Sequence, residues 1–261
     1  MAPQLNLYYD DTHQLALDLY APRGAAKAGI IMIHGGGWFR GDKQKEAAWA
    51  KRLSDRDFFV IAPNYRENTA GRWPAPLEDM DRLWAWIQRR DLPFNKRTIA
   101  AVGGSAGGNM AVEMAIKYGI PAVSLSGILD IADWLHHHPE VVPVQGDTEN
   151  FSTAASRTIN QDGANDSFYK WFITQYLPNP QDYVAATPAY HVTDTTGPMY
   201  LANSLNEFVP TSGVARLSEA LGNAGIPHTT RMLAGTAHGE GYLDQVFDAT
   251  TLFLNRSLHL L

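Results

Sequence analysis

Hydrophobic and polar positions along this chain fall into two alternating kinds of segment. Asn6 to Tyr9 and Leu15 to Tyr20 are short, with Asp10-Asp11-Thr12-His13 as a turn between them. Leu15, Leu17 and Leu19 alternate with Ala16, Asp18 and Tyr20, the period of two that turns one strand face inward. Gly29 to Ile33 and Phe58 to Ala62 are continuous apolar runs, and Thr98 to Val102, Ala122 to Leu125, Met199 to Ala202 and Thr229 to Leu233 continue the series. Amphipathic stretches of helical length separate them: Lys45 to Leu53, Pro76 to Arg89, Asn109 to Lys117, Ser212 to Asn223 and Tyr242 to Leu254. Apolar runs alternating with helices predict an α/β architecture, a mostly parallel sheet with helices on both faces and right-handed crossovers.

One region breaks the alternation. Residues 130–188 lie between two predicted strands and are too long for a plain connection. The middle, Gln145 to Asp166, is rich in Asn, Asp, Ser, Thr and Gly, whereas Ser167 to Leu177 is helical in pattern and carries Phe168, Trp171, Phe172 and Tyr176. We read 130–188 as a cap inserted within a single domain, over the carboxyl edge of the sheet, with 145–166 as a mobile polar loop.

Composition narrows the function classes. The chain has 261 residues, enough for one large domain with a substantial core, and 45% of them are apolar. A net charge of -6, from 27 acidic and 21 basic residues, without a basic cluster, argues against a nucleic-acid backbone binder. Cysteine is absent, so disulfides and thiolate metal sites are excluded. His136-His137-His138 are adjacent, so on a helix their rings diverge, and no carboxylate spacing completes a metal site. No apolar run approaches about 18 residues, so no membrane span is expected. Met1 to Asn6 lacks the charged and apolar regions of a leader, which makes the cytoplasm the expected location. A homo-oligomer is compatible with the composition.

The chemistry concentrates at three strand ends. Gly103-Gly104-Ser105-Ala106-Gly107 follows an apolar run and opens a helical stretch, the strand–turn–helix context of the G-x-S-x-G nucleophile elbow. A serine held in such a turn, next to a base, becomes a competent nucleophile. His34-Gly35-Gly36-Gly37-Trp38 follows an earlier strand, and its glycines free backbone amides to face a developing oxyanion. Gly36 and Gly37 are the expected donors, with the Ala106 amide as a third. His34 is read as pinning this loop, and Trp38 as lining the pocket or packing on the loop. Ala237-His238-Gly239 follows the last strand, and the near-neutral titration of a histidine suits His238 to the role of general base. The acid should lie after a strand between serine and histidine. Counting from the strand Met199 to Ala202 selects Glu207. Counting back from Val209-Pro210 selects Asn206, which cannot stabilise imidazolium by charge. Asp130, after Ala122 to Leu125, is the alternative. Trp38, Phe39, Trp73, Phe168, Trp171 and Tyr242 are candidate aromatic liners.

These three motifs, in this order and spacing, resemble those of α/β-hydrolase esterases, closest to the hormone-sensitive-lipase-like and kynurenine-formamidase/feruloyl-esterase-like branches. Asn64-Tyr65-Arg66 with Trp73 to Asp79, Ser126 to Asp130 and Ala186-Thr187-Pro188 extend the likeness from about Leu15 to Leu254. The resemblance implies an eight-stranded sheet whose second strand is antiparallel, and a structural Arg66–Asp79 pair. It also implies hydrolysis of small acyl substrates without a cofactor. Asn206-Glu207 departs from the Asp usual in that family. The expected protein is therefore a serine carboxylesterase for short-chain or aromatic acyl esters, with catalytic Ser105, Glu207 and His238. An arylformamidase, and a non-catalytic binding protein on the same scaffold, are the alternatives.

Overall fold

The computed structural model describes residues 2–146 and 156–260. Eight strands form one sheet: β1 Gln4–Asp10, β2 Leu15–Tyr20, β3 Ala28–Ile33, β4 Phe58–Pro63, β5 Ile99–Gly104, β6 Ala122–Leu125, β7 Met199–Ser204 and β8 His228–Leu233. Their order is β1-β2-β4-β3-β5-β6-β7-β8. β2 pairs antiparallel with β1 and β4, and every pairing from β4 to β8 is parallel. The expected strands are thus present, and the second is the antiparallel one. The helices are α1 Ala47–Ser54, α2 Ala75–Arg89, α3 Ala106–Tyr118, α4 Ala132–His137, α5 Asp166–Tyr176, α6 Ser212–Asn223 and α7 Leu243–Ser257.

The period of two along each strand divides the interior into two cores. Ile31, Ile33, Phe59 and Ile61 join Met80, Leu83, Met110 and Leu217 from α2, α3 and α6 on one face. Ile30, Met32, Val60 and Val102 join Trp49, Leu53, Val246 and Phe247 from α1 and α7 on the other. Because both faces are covered, β3 to β7 are buried along their whole length. Only the edges are wetted: β1 is mostly exposed, and so is β8 up to Leu233.

From the centre of the sheet, β3 leads to β4 on one side, and β5 leads to β6 on the other. Ligand crevices of open α/β sheets form where the strand order reverses in this way. β3 and β5 run side by side there, Ile33 opposite Gly103, so the loops leaving both carboxyl ends meet.

Over that edge, α5 packs on the loop after β3. Phe39 meets Phe168 and Trp171 edge-on at 6.2 and 4.9 Å, and Trp73 N–H donates to the Tyr176 carbonyl at 3.0 Å. The predicted helix Ser167 to Leu177 is α5. Of the polar stretch 145–166, residues 147–155 lie outside the described residues.

Candidate active site

Ser105 stands between β5 and α3 with φ 55° and ψ -124°, a backbone state that L side chains adopt only when the surroundings impose it. The sharp turn brings β5 and α3 so close that a Cβ on Gly103 would lie 2.4 Å from the Gly107 carbonyl carbon, and one on Gly107 would lie 2.1 Å from the Ile33 carbonyl oxygen. That crowding explains both glycines. α3 starts at Ala106, earlier than the expected Asn109, since Gly107 and Gly108, poor helix formers, hide its first turn from a reading of the sequence. The Ala106 amide lies in that first turn, where backbone N–H groups have no intrahelical acceptor.

The loop after β3 is fixed from below. His34 is buried, stacks on Tyr65 with centroids 4.2 Å apart, and meets the Gly35 carbonyl with Nδ1 at 2.7 Å. A carbonyl only accepts, so Nδ1 carries the proton there. Burial lowers the pKa of His34, which keeps it neutral, and Tyr65 Oη donates to the His34 carbonyl at 3.0 Å. Gly36 has φ +121°, and a Cβ there would lie 1.4 Å from the Arg40 carbonyl oxygen, so no side chain fits. Farther back, Arg66 Nη2 lies 2.8 Å from Asp79 Oδ1, the structural pair expected.

The residues expected as acid and base follow the ends of β7 and β8. His238 Nδ1 lies 2.5 Å from Glu207 Oε2, and both side chains are buried. The other oxygen of Glu207 accepts from Ser126 Oγ at 2.7 Å and from the Ser204 amide at 2.9 Å. His238 is held on its backbone by Gln161, whose Oε1 accepts from the His238 amide at 3.0 Å and whose Nε2 donates to its carbonyl at 3.1 Å. Phe208 packs against the imidazole with centroids 4.4 Å apart. Asp130 is turned elsewhere, toward Arg216 Nε at 3.4 Å and the Trp134 amide at 3.2 Å. The Asn206 amide donates to the Gly235 carbonyl at 3.1 Å.

A pocket partly open to solvent joins these parts, and its lining includes Gly36, Gly37, Ser105 and His238. One wall is aromatic: Phe39, Phe168, Phe172 and Phe208. Its polar lining comprises Lys45, Glu46, Ser156, Asn160 and Glu240. Glu46 Oε1 accepts from Ser156 Oγ at 2.8 Å and lies 3.5 Å from the Gly35 amide nitrogen. Burial and the neighbouring Glu46 carboxylate raise the pKa of Glu240 strongly, so it is protonated at neutral pH and can hydrogen-bond to Glu46.

For Trp38 the expected place in the pocket lining is corrected in favour of packing inward. It does not line this pocket but lies behind it, stacked on Tyr176 with centroids 3.9 Å apart and planes at 5°. Trp73, Trp171 and Tyr242 are likewise absent from the lining, whereas Phe39 and Phe168 belong to it. Phe172, Phe208, Ser126, Gln161 and the Glu46–Glu240 pair escaped sequence reasoning. Two of them carried a signal: Phe172 in the aromatic helical stretch Ser167 to Leu177, and Ser126 directly after a predicted strand. His137 and His138 turn Nδ1 to the Asp133 and Trp134 carbonyls, and among the described residues no group of three or more His, Cys, Asp or Glu could hold a metal. No described helix is long and apolar enough to cross a membrane.

Residues 17–221 match the model of the family described as BD-FAE. The AB hydrolase superfamily protein C1039.03 of Schizosaccharomyces pombe is 25% identical over 245 residues, which cover 88% of this chain and 69% of that protein. Esterase LipQ of Mycobacterium tuberculosis is 22% identical over 75% of this chain and 46% of its own length, so the chain spans under half of that relative. The fold is shared with the Pyrobaculum calidifontis esterase, at a TM-score of 0.76 and 20% identity, over 99% of this chain and 85% of that one.

Proposed function

Since the chain belongs to the BD-FAE family and has the fold of α/β-hydrolase esterases, we propose that it is a serine carboxylesterase with Ser105, His238 and Glu207 as nucleophile, base and acid. The observation that carries this reading is the buried 2.5 Å contact of Glu207 Oε2 with His238 Nδ1, beside a pocket that Ser105 shares with His238.

With Nδ1–H donating a hydrogen bond to the Glu207 carboxylate, which stays ionised, His238 keeps a free lone pair on Nε2. That nitrogen takes the Ser105 proton as Oγ attacks the acyl carbon. The carbonyl oxygen becomes an oxyanion, which the Gly36, Gly37 and Ala106 amides stabilise. Imidazolium then protonates the leaving alcohol, the C–O bond breaks, and an acyl-enzyme remains. Water repeats the sequence in the second half, with His238 first as base and then as acid returning the proton to Ser105. The negative Glu207 stabilises the transient imidazolium in both halves.

The aromatic wall and the packing of α5 over the loop after β3 favour short or aromatic acyl groups over long chains. Steady-state hydrolysis of p-nitrophenyl acetate, butyrate and dodecanoate tests both parts of the reading. Ser105→Ala should lose at least about 10³-fold in kcat, and the dodecanoate should be the poorest substrate. A fully active Ser105→Ala protein would end the mechanism. An N-formylarylamine turned over faster than aryl esters would assign a formamidase instead.

A further inference from the structure

The Ser126 hydroxyl lies between the acid and the loop that carries the base. Glu207 is buried, and a buried carboxylate is stable only when its oxygens are hydrogen-bonded. One oxygen faces His238, and the other takes the Ser126 hydroxyl and the Ser204 amide. Ser126 Oγ in turn accepts from the Gly239 amide at 2.8 Å, the residue directly after the base. Tyr242 Oη lies 2.8 Å from the same oxygen and donates to the Ala202 carbonyl at 2.8 Å.

Counting protons fixes the directions. Ser126 has one proton, and the carboxylate accepts only, so that proton goes to Glu207 while the Gly239 N–H fills a lone pair of Oγ. A single oxygen therefore ties the acid side chain to the backbone of the base loop. Ser126 also has φ 52°, in the left-handed region that glycine adopts more readily. Its amide donates to the Ala202 carbonyl at 2.7 Å, which anchors this strained position to β7. A non-glycine residue persists there only when the surroundings over-determine it, which is common at functional sites.

We propose that Ser126 is a positioning residue for the acid–base pair, its hydroxyl holding Glu207 and Gly239 in the register that keeps Glu207 facing His238. This rests on the roles given above to Ser105, Glu207 and His238. Ser126 touches neither reacting atom. It acts through Glu207 and so affects the chemical step rather than substrate binding.

A double-mutant cycle tests it. In the wild-type background, Ser126→Ala and Ser126→Gly should each lower kcat about 10-fold or more, with KM within about twofold. Ser126→Gly also relieves the positive-φ strain, so it serves where Ser126→Ala fails to fold. In a Glu207→Ala background, the same removal of the hydroxyl should lower kcat less than about twofold, because its target is gone. The rate of fluorophosphonate labelling at Ser105 should follow the same non-additive pattern. Tyr242→Phe, which keeps the Ser126 bond to Glu207, should cost less than Ser126→Ala. Wild-type kcat in both Ser126 variants, or an equal fold-loss in both backgrounds, would overturn the proposal. An active Ser105→Ala or a wild-type Glu207→Ala would instead overturn the triad on which it rests.

Discussion

Replacing Glu207 by Gln preserves shape and removes charge. The His238–Glu207 contact is 2.5 Å between nitrogen and oxygen, which puts the charge centres of imidazolium and carboxylate roughly 4 Å apart. At an effective dielectric of about 20, such a pair attracts by about 4 kcal/mol. Gln has one acceptor oxygen where Glu207 uses two, so its NH2 must face either His238 or the Ser204 N–H; with the charge also gone, at least about 3 to 4 kcal/mol of imidazolium stabilisation is lost, equivalent to about 10²- to 10³-fold in kcat. Glu207→Asp tests reach instead of charge. One methylene fewer withdraws the carboxylate by about 1.5 Å and breaks the contact with His238 as well as those with Ser126 and Ser204. It should therefore lose activity on the same scale. Asp130→Asn, whose parent side chain meets Arg216 and the Trp134 amide, should stay within about threefold of wild type. Initial rates with p-nitrophenyl butyrate, alongside melting temperatures, separate these effects from unfolding. A Glu207→Gln protein above a tenth of wild-type kcat, or a collapse in Asp130→Asn, would refute the assignment of the acid.

Two further predictions concern stability. In Gly107→Ala the added Cβ would lie 2.1 Å from the Ile33 carbonyl oxygen and 2.7 Å from that of His34. Both are backbone atoms, so a loss of about 1 to 3 kcal/mol or more is expected, read as a lower melting temperature together with lost activity. Burial raises the pKa of Glu113 to about 8; the folded state then holds a proton that the unfolded chain releases above the usual 4.5. Its contribution is therefore fully present below pH 4.5 and declines as pH rises toward about 8. Glu113→Gln should remove that decline, its melting temperature gaining on wild type by several degrees between pH 5 and pH 8, and a constant difference across that range would sink the idea.

The sheet and the strand-end segments that meet at the pocket were legible because their signals are local. An apolar run bounded by glycines reads as a strand wherever it lies, and the elbow, glycine loop and His238 each occupy a few consecutive residues. Trp38 shows where local reading stops. An aromatic residue next to a glycine loop looks the same whether it faces substrate or packs inward, and its partner Tyr176 sits far along the chain on α5. The Glu46–Glu240 pair is illegible for a similar reason. Each is an ordinary carboxylate in sequence, and only the approach of the loops after β3 and β8 buries them together. Ser126 was visible as a strand-end residue, but its role depends on Glu207 and Gly239, which other strands supply.

At the proposed acid position, the departure from Asp has a geometric reason. β7 ends at Ser204, and Glu207 follows three residues later, where its side chain folds back until Oε1 meets the Ser204 amide at 2.9 Å. A side chain that doubles back over the strand end needs the extra methylene of Glu to bring its second oxygen to His238. Extra length brings extra rotamer freedom, which must be restricted for the carboxylate to hold one orientation. The Ser204 amide and the Ser126 hydroxyl supply that restriction, and both bond the oxygen that His238 does not use. A longer acid and a serine at the end of β6 are thus one solution rather than two independent features. Glu207→Asp should therefore not be rescued by keeping Ser126, since the shorter side chain leaves the reach of the Ser126 hydroxyl and the imidazole together.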